Sequence, residues 1–170
     1  IICNKRLEEN ENFLENIITK EKLLLLILEH ITDPHNVGAC IRSAAAAGVD
    51  AVIVPKNRSC HLTPTVRKIS SGGAELIPFI VVTNIVRTIN KLKSGGVMIY
   101  GTDVEASKLH NEISYSNKSA LIVGSEEKGL KRLTLENCDE IIKIKMPGRI
   151  ESLNASVSTG IMLFQMINQK

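Results

Sequence analysis

IKIKMPGRIESLNASVSTGIMLFQMINQK, residues 142–170, is the stretch on which the fold turns. With Ile141 before it, it opens as a buried strand (Ile141, Ile142, Ile144), breaks at Met146-Pro147-Gly148, and restarts as a helix whose entry is marked by Ser152 and Asn154. A strand that ends in a turn and hands over to a helix N-terminus gathers polar groups where an anion or nucleotide is favoured. Leu153, Val157, Ile161, Met162 and Phe164 give the helix an apolar stripe, while Ser152, Ala155, Ser156, Thr159 and Gly160 keep another face small. The same pattern also suits a plain C-terminal helix packed on a sheet.

Outward from this stretch the chain alternates. Residues 1–22 are rich in Asn, Glu and Lys, with Leu7, Phe13, Leu14, Ile17 and Ile18 at helical intervals, and read as a linker helix. Strands are predicted at 23–29, 51–54, 76–82, 97–101, 119–123 and 140–144. Helices are predicted at 36–47 (ended by Gly48), 84–93 and 129–136, with a polar connection through Pro64. Continuous apolar strands separated by helices imply an α/β fold with a parallel sheet covered on both faces.

A chain of 170 residues, 44% hydrophobic and 23% charged, is enough for one domain with a substantial core. Its longest apolar run, Leu23 to Leu28, is far short of a membrane span, so a soluble protein with no membrane partner is expected. The first residues lack the order of a signal peptide, and Ile1 in place of Met suggests a piece of a longer chain. Cys3, Cys40, Cys60 and Cys138 have no CxxC or Cys/His spacing, which points to reduced thiols and a cytoplasmic location. His30, His35, His61 and His110 have no metal spacing either, so no metal is expected. A net charge of +3 permits an anionic partner without requiring one. With no Trp, two Tyr and three Phe, the chain has no row of stacking platforms; an RNA partner would be held by phosphate contacts and a shaped pocket.

Three clusters carry candidate chemistry. In DPHNVGACIRSAAAAG (33–48), Asp33-Pro34 turns the chain, Asn36 suits an N-cap, and Gly38 lies four residues before Arg42. A bare Gly38 would leave Arg42 a path to the helix start, where phosphate is favoured; the competing reading is a solvated Arg. In LIVGSEEKGL (121–130), Leu130 and Lys131 stand where a phosphate loop needs Lys and then Ser or Thr, so the loop is no such motif. Glu126-Glu127 suits a cationic ligand, and an ordinary strand-to-helix turn competes equally. In the third, the stretch quoted first, the Pro-Gly break leaves main-chain groups in need of partners. Those of Ile144 and Met146 suit an adenine edge, with Leu153 over its face. Thr63, Arg67, Lys68 and Ser70-Ser71-Gly72-Gly73 read as a surface loop, or as a basic, flexible lip over a site.

Together, N-x-G-x-x-x-R, G-S-E-x-x-G and I-x-M-x-G-x-x-x-S-L-N, in this order from about Leu24 to Gln165, resemble the three motifs of the SpoU family. Its members are RNA ribose 2′-O-methyltransferases of the SPOUT superfamily. DPHNVGACIRSAAAAGVDAVIVPK and CDEIIKIKMPG resemble the branch that methylates a guanosine of large-subunit ribosomal RNA. The resemblance implies a C-terminal trefoil knot, a homodimer with the last helix at its interface, and S-adenosylmethionine bound beside the knot. It places cofactor contacts on Gly124, Ile144 and Leu153, with Met146, Thr102 and Gly101 nearby. It places catalytic roles on Asn36, Arg42, Glu126, Ser152 and Asn154, with no metal.

Arginine is essentially never deprotonated, so Arg42 is read as a clamp on RNA phosphate that also stabilises developing alkoxide. Glu126 would hold Arg42 or the hydroxyl, and Asn36, Ser152 and Asn154 would complete the network. Lys145 departs from the family pattern, in which many members have Pro there; here Pro147 follows instead. Many members carry a separate RNA-binding domain before the catalytic one, so residues 1–22 would be the remnant of its linker and 23–170 the catalytic domain. A transfer-RNA methylase and a non-catalytic RNA-binding or ribosome-assembly module of the same fold are the competing expectations.

Overall fold

Seven consecutive residues, Leu23–Glu29, are buried along one strand, and burial on both faces makes that strand central. A computed structural model describes residues 6–169. In chain order its elements are β1 (Glu9–Asn10), α1 (Phe13–Ile17), β2 (Leu23–Glu29), α2 (Pro34–Ala46), β3 (Ala51–Pro55), α3 (Pro64–Ile69), α4 (Gly73–Leu76) and β4 (Phe79–Val82). There follow α5 (Ile85–Ser94), β5 (Met98–Thr102), β6 (Lys108–Leu109), β7 (Lys118–Gly124), α6 (Arg132–Asn137), β8 (Glu140–Lys143) and α7 (Ala155–Asn168). The eight strands form one sheet in the order β1-β4-β3-β2-β7-β5-β8-β6, with every pairing parallel.

Alternate residues of β2 feed opposite cores, as the period of two requires. Leu24, Leu26 and Leu28 join Val37, Ile41, Met162 and Leu163 under α2 and α7, while Leu23, Leu25 and Ile27 join Leu14, Ile85, Ile89 and Leu92 under α1 and α5. The expected parallel α/β sheet covered on both faces is therefore present.

Three local readings are corrected. Residues 9–18 are not one linker helix: Glu9 and Asn10 pair with Ile80 and Val81, and only 13–17 is helical. The helical spacing in the sequence came from Leu14 and Ile17, which are buried on the sheet. The polar connection through Pro64 holds two short helices, and it is no flexible lip. Thr63 caps α3 by accepting from Val66 N (3.2 Å), Arg67 is tied to Glu75 and to the Arg6 carbonyl, and Ser70 is buried. Gly38 clears no path for Arg42; a Cβ there would press on Ile69 and the Val66 carbonyl, so its bareness serves the packing of α3 on α2.

Candidate active site

The sheet order sets the site. From β2 the chain moves outward through β3 and β4, then returns to the far side of β7 for β5, so the crevice beyond the C-terminal ends of β2 and β7 is the topological switch point. Glu29 and Gly124, the last residues of these strands, are paired in register there.

The loop after β7 is shaped by its own backbone. Gly129 N donates to Ser125 O (2.8 Å), and Gly129 turns the chain at φ 60°, where a side chain is disfavoured. A Cβ at Gly124 would overlap the Gly129 carbonyl, so only glycine lets the loop fold back this closely. The far end is anchored by Glu29, 2% exposed, whose carboxylate accepts from Lys131 N (2.9 Å) and Thr134 Oγ1 (2.7 Å). Sequence reasoning missed Glu29; its one signal was a carboxylate closing an otherwise apolar run.

So held, the loop presents Glu126 to the start of α7. Glu126 Oε1 accepts from Asn154 Nδ2 (2.6 Å), Ala155 N (2.9 Å) and Asn36 Nδ2 (3.3 Å), and Asn154 Nδ2 also donates to Asn36 Oδ1 (2.9 Å). Asn154 is the N-cap of α7, its Oδ1 accepting from Ser156 N (2.9 Å). One residue from each sequence cluster meets in this network. A carboxylate at a helix N-terminus is also favoured by the helix dipole.

Beside the network lies a cleft of about 750 Å³ between the loops that follow β5, β7 and β8. Thr102, Gly124, Ile144, Met146, Ser152 and Leu153 line it, as does Glu126. Among the described residues, 144–153 make no main-chain hydrogen bond with the rest of the chain. Their free N–H and C=O groups beside the apolar Ile144, Met146 and Leu153 fit a purine, whose edge needs such partners and whose face needs apolar cover.

Two expected site residues stand apart. Gly101 is buried and does not line the cleft, and a Cβ there would collide with Cys138 Sγ. Arg42 is exposed on α2, lines neither this cleft nor its neighbour, and its guanidinium has no hydrogen bond or ion pair among the described residues. Glu126 therefore holds Asn36 and α7 rather than Arg42. The Cys40 thiol is buried against Thr159 of α7. Burial pushes it up to about 11, against the lowering effect of its contact with Thr159. Among the described residues no group of His, Cys, Asp and Glu is placed to hold a metal ion.

The sequence profile of the SpoU rRNA Methylase family matches residues 23–164. The chain belongs to this family. The matched segment runs from the first residue of β2 into α7 and contains every residue of the Asn36–Glu126–Asn154 network. The chain is 46% identical, over 162 residues, to the 23S rRNA (guanosine-2′-O-)-methyltransferase RlmB of Pseudomonas aeruginosa, covering 94% of this chain and 65% of the relative. It is 48% identical to the Escherichia coli K12 protein of the same name, covering 94% of this chain and 66% of the relative. The chain thus spans about two thirds of the length of these relatives. Among solved structures, the AdoMet-bound rRNA methyltransferase of Sinorhizobium meliloti superposes with a TM-score of 0.85 at 27% identity, over 96% of this chain and 61% of that one. This SpoU chain shares with it the parallel sheet and flanking helices.

Proposed function

We propose that this SpoU chain transfers a methyl group from S-adenosylmethionine to the ribose 2′-hydroxyl of a guanosine in large-subunit ribosomal RNA, in the cytoplasm. The observation that carries the reading is the Asn36–Glu126–Asn154 network on the rim of a cleft roomy enough for a whole nucleoside cofactor. The activity for which the RlmB relatives are named supports the substrate.

S-adenosylmethionine, when bound, supplies an electrophilic methyl on a sulfonium. The protein's part is to hold the cofactor and align the acceptor. The main chain around Ile144 and Met146 would take the adenine edge, Leu153 would cover the ring, and Gly124 and Thr102 would floor the cleft. Asn36, Glu126, Ser152 and Asn154 would orient the 2′-hydroxyl, a poorly acidic group whose proton would pass to solvent water as the methyl leaves the sulfonium sulfur for its oxygen. Arg42, its side chain unpaired and exposed, would grip RNA phosphate with its planar fork of N–H donors.

Two further features belong to this proposal. The first is a trefoil knot. Its support is that 144–153, running from β8 to α7, lines one cleft together with the loops after β5 and β7, and that α7 packs back on α2. The second is a homodimer built on α7, discussed below.

The test is transfer of labelled methyl to unmodified ribosomal RNA and, separately, to unmodified transfer RNA, with nuclease mapping of the product. A 2′-O-methylguanosine in ribosomal RNA is expected. Label confined to transfer RNA would overturn the substrate, and binding of RNA without saturable cofactor affinity would favour a non-catalytic module. Arg42→Ala is expected to abolish transfer while cofactor affinity and melting temperature stay unchanged; retained activity would remove the clamp role.

A further inference from the structure

On the opposite side of the 125–129 loop lies a second cleft, of about 500 Å³. Its walls include His30, Asp33, Asn36, Arg58 and Lys131, and it shares Glu126 and Ala155 with the first cleft. Asn36 opens onto this cleft and not onto the first, although its side chain bonds to Glu126. The catalytic network is therefore the partition between the clefts, and anything seated in one meets anything seated in the other at Glu126.

The second cleft carries its own built feature. His30 (φ 57°) and Arg58 (φ 55°) both adopt the left-handed conformation that residues with a Cβ rarely take, and His30 Nδ1 donates to the Arg58 carbonyl (3.2 Å). Cys60 N donates to Ile31 O (3.0 Å), tying the two segments together again just beyond. The fold thus holds Arg58 at the rim in an unfavourable backbone state, while its guanidinium has no hydrogen bond or ion pair among the described residues. Lys128 and Lys131, at the same cleft, have side chains that are equally unpaired there. Asp33, Glu126 and Glu127 are the acids of this cleft; Asp33 Oδ1 is engaged by His35 N (2.9 Å), and Glu126 Oε1 by Asn154 and the Ala155 amide.

We infer that the second cleft seats the acceptor nucleotide of the RNA, with Arg58 gripping a phosphodiester that flanks it. The inference deepens the methyltransferase reading above and rests on it. A fork of N–H donors suits a phosphate, and one carried on a main chain that His30 ties in place can reach a phosphate beside the cleft and so limit where the adjoining ribose falls. With the phosphate on Arg58, the ribose would lie toward Asn36 and Glu126, and the methyl donor would approach from the first cleft. Arg58 is on this view a binding and positioning residue, with no part in the proton's departure.

The experiment compares Arg58→Gly, Arg58→Ala and Arg58→Lys. Glycine removes the guanidinium while suiting the left-handed backbone better than any other residue, so a folding failure in the alanine variant does not obscure the answer. The readouts are KM for an unmodified ribosomal RNA fragment, equilibrium binding of the same fragment across a salt series, and S-adenosylmethionine affinity. The expected result for Arg58→Gly is a rise of roughly tenfold or more in KM, cofactor affinity within about twofold of wild type, and a salt slope shallower by about one phosphate contact. Lysine should restore part of the loss. Unchanged KM and salt slope in Arg58→Gly would overturn the assignment. A wild-type protein that binds no cofactor and methylates neither RNA would instead overturn the functional reading, and the inference with it.

Discussion

At the scale of single residues, the site depends on a group that does no chemistry. Glu29 buries a carboxylate, a costly act unless donors meet it, and two do: the Lys131 amide and the Thr134 hydroxyl. Replacing Glu29 with Ala leaves both donors unmatched in a buried pocket and frees the end of the loop that carries Glu126. A loss of about 1–3 kcal/mol in denaturant unfolding is expected, with weakened cofactor binding; a loss under a few tenths would show that water takes the carboxylate's place. The thiols give a second check. Burial above all pushes Cys138 up to about 12, as it pushes Cys40 up to about 11, so neither is a thiolate at pH 8. Both should react with iodoacetamide far more slowly than a free thiol does, Cys40 the slower of the two; prompt labelling mapped to Cys40 in the native protein would contradict its burial. Asn36, Glu126 and Asn154 were legible in the sequence because their spacing matched known motifs. Glu29, His30 and Arg58 were not, because each owes its importance to a partner distant in sequence or to a backbone angle that residue type does not announce.

At the scale of elements, periodicity located α7 but mixed its faces. The sequence reading put Val157, Ile161 and Phe164 in one apolar stripe with Met162. In the fold, Met162 is buried with Ala155, Thr159, Leu163 and Met166 against the sheet and α2, while the other three are left 49%, 39% and 43% exposed. A helix that is apolar on most of its circumference cannot tell from sequence alone which side its own sheet will take. The unpartnered stripe is what supports the proposed homodimer, since each of these half-buried side chains would still stabilise association by about 0.6–1.5 kcal/mol on losing its remaining exposure. Phe164→Glu is accordingly expected to shift sedimentation toward monomer while the far-ultraviolet circular dichroism is unchanged. A variant that sediments as the wild type does would place the interface elsewhere. The smallest elements escaped prediction for a related reason: β1 and β6 are two residues each, too short to show any period, and α3 and α4 are made by caps and packing on α2.

At the scale of the whole molecule, the strands that carry the site are parallel, so the loops leaving β2, β5, β7 and β8 all emerge at one edge of the sheet, and the cleft is assembled from segments far apart in sequence. The alternation of apolar strands and helices made this sheet legible, but strand order was not, because parallel neighbours leave no turn signal between them. A pocket built from separate loops exists only while the sheet holds those loops together, so cofactor binding and folding are coupled. S-adenosylmethionine at a hundred times its dissociation constant adds about 2.7 kcal/mol to the folded state if the unfolded chain does not bind it. For a domain of this size each kcal/mol is worth roughly 2–4 °C, so a rise of roughly 5–10 °C in melting temperature is expected. Leu153→Asp sets a charge where the ring's apolar cover is needed and should abolish that rise while the unliganded melting temperature changes little, because Leu153 is only partly buried in the loop. An equal rise in both proteins would mean that the cofactor binds outside the cleft, and no rise in the wild type would remove the cofactor assignment itself.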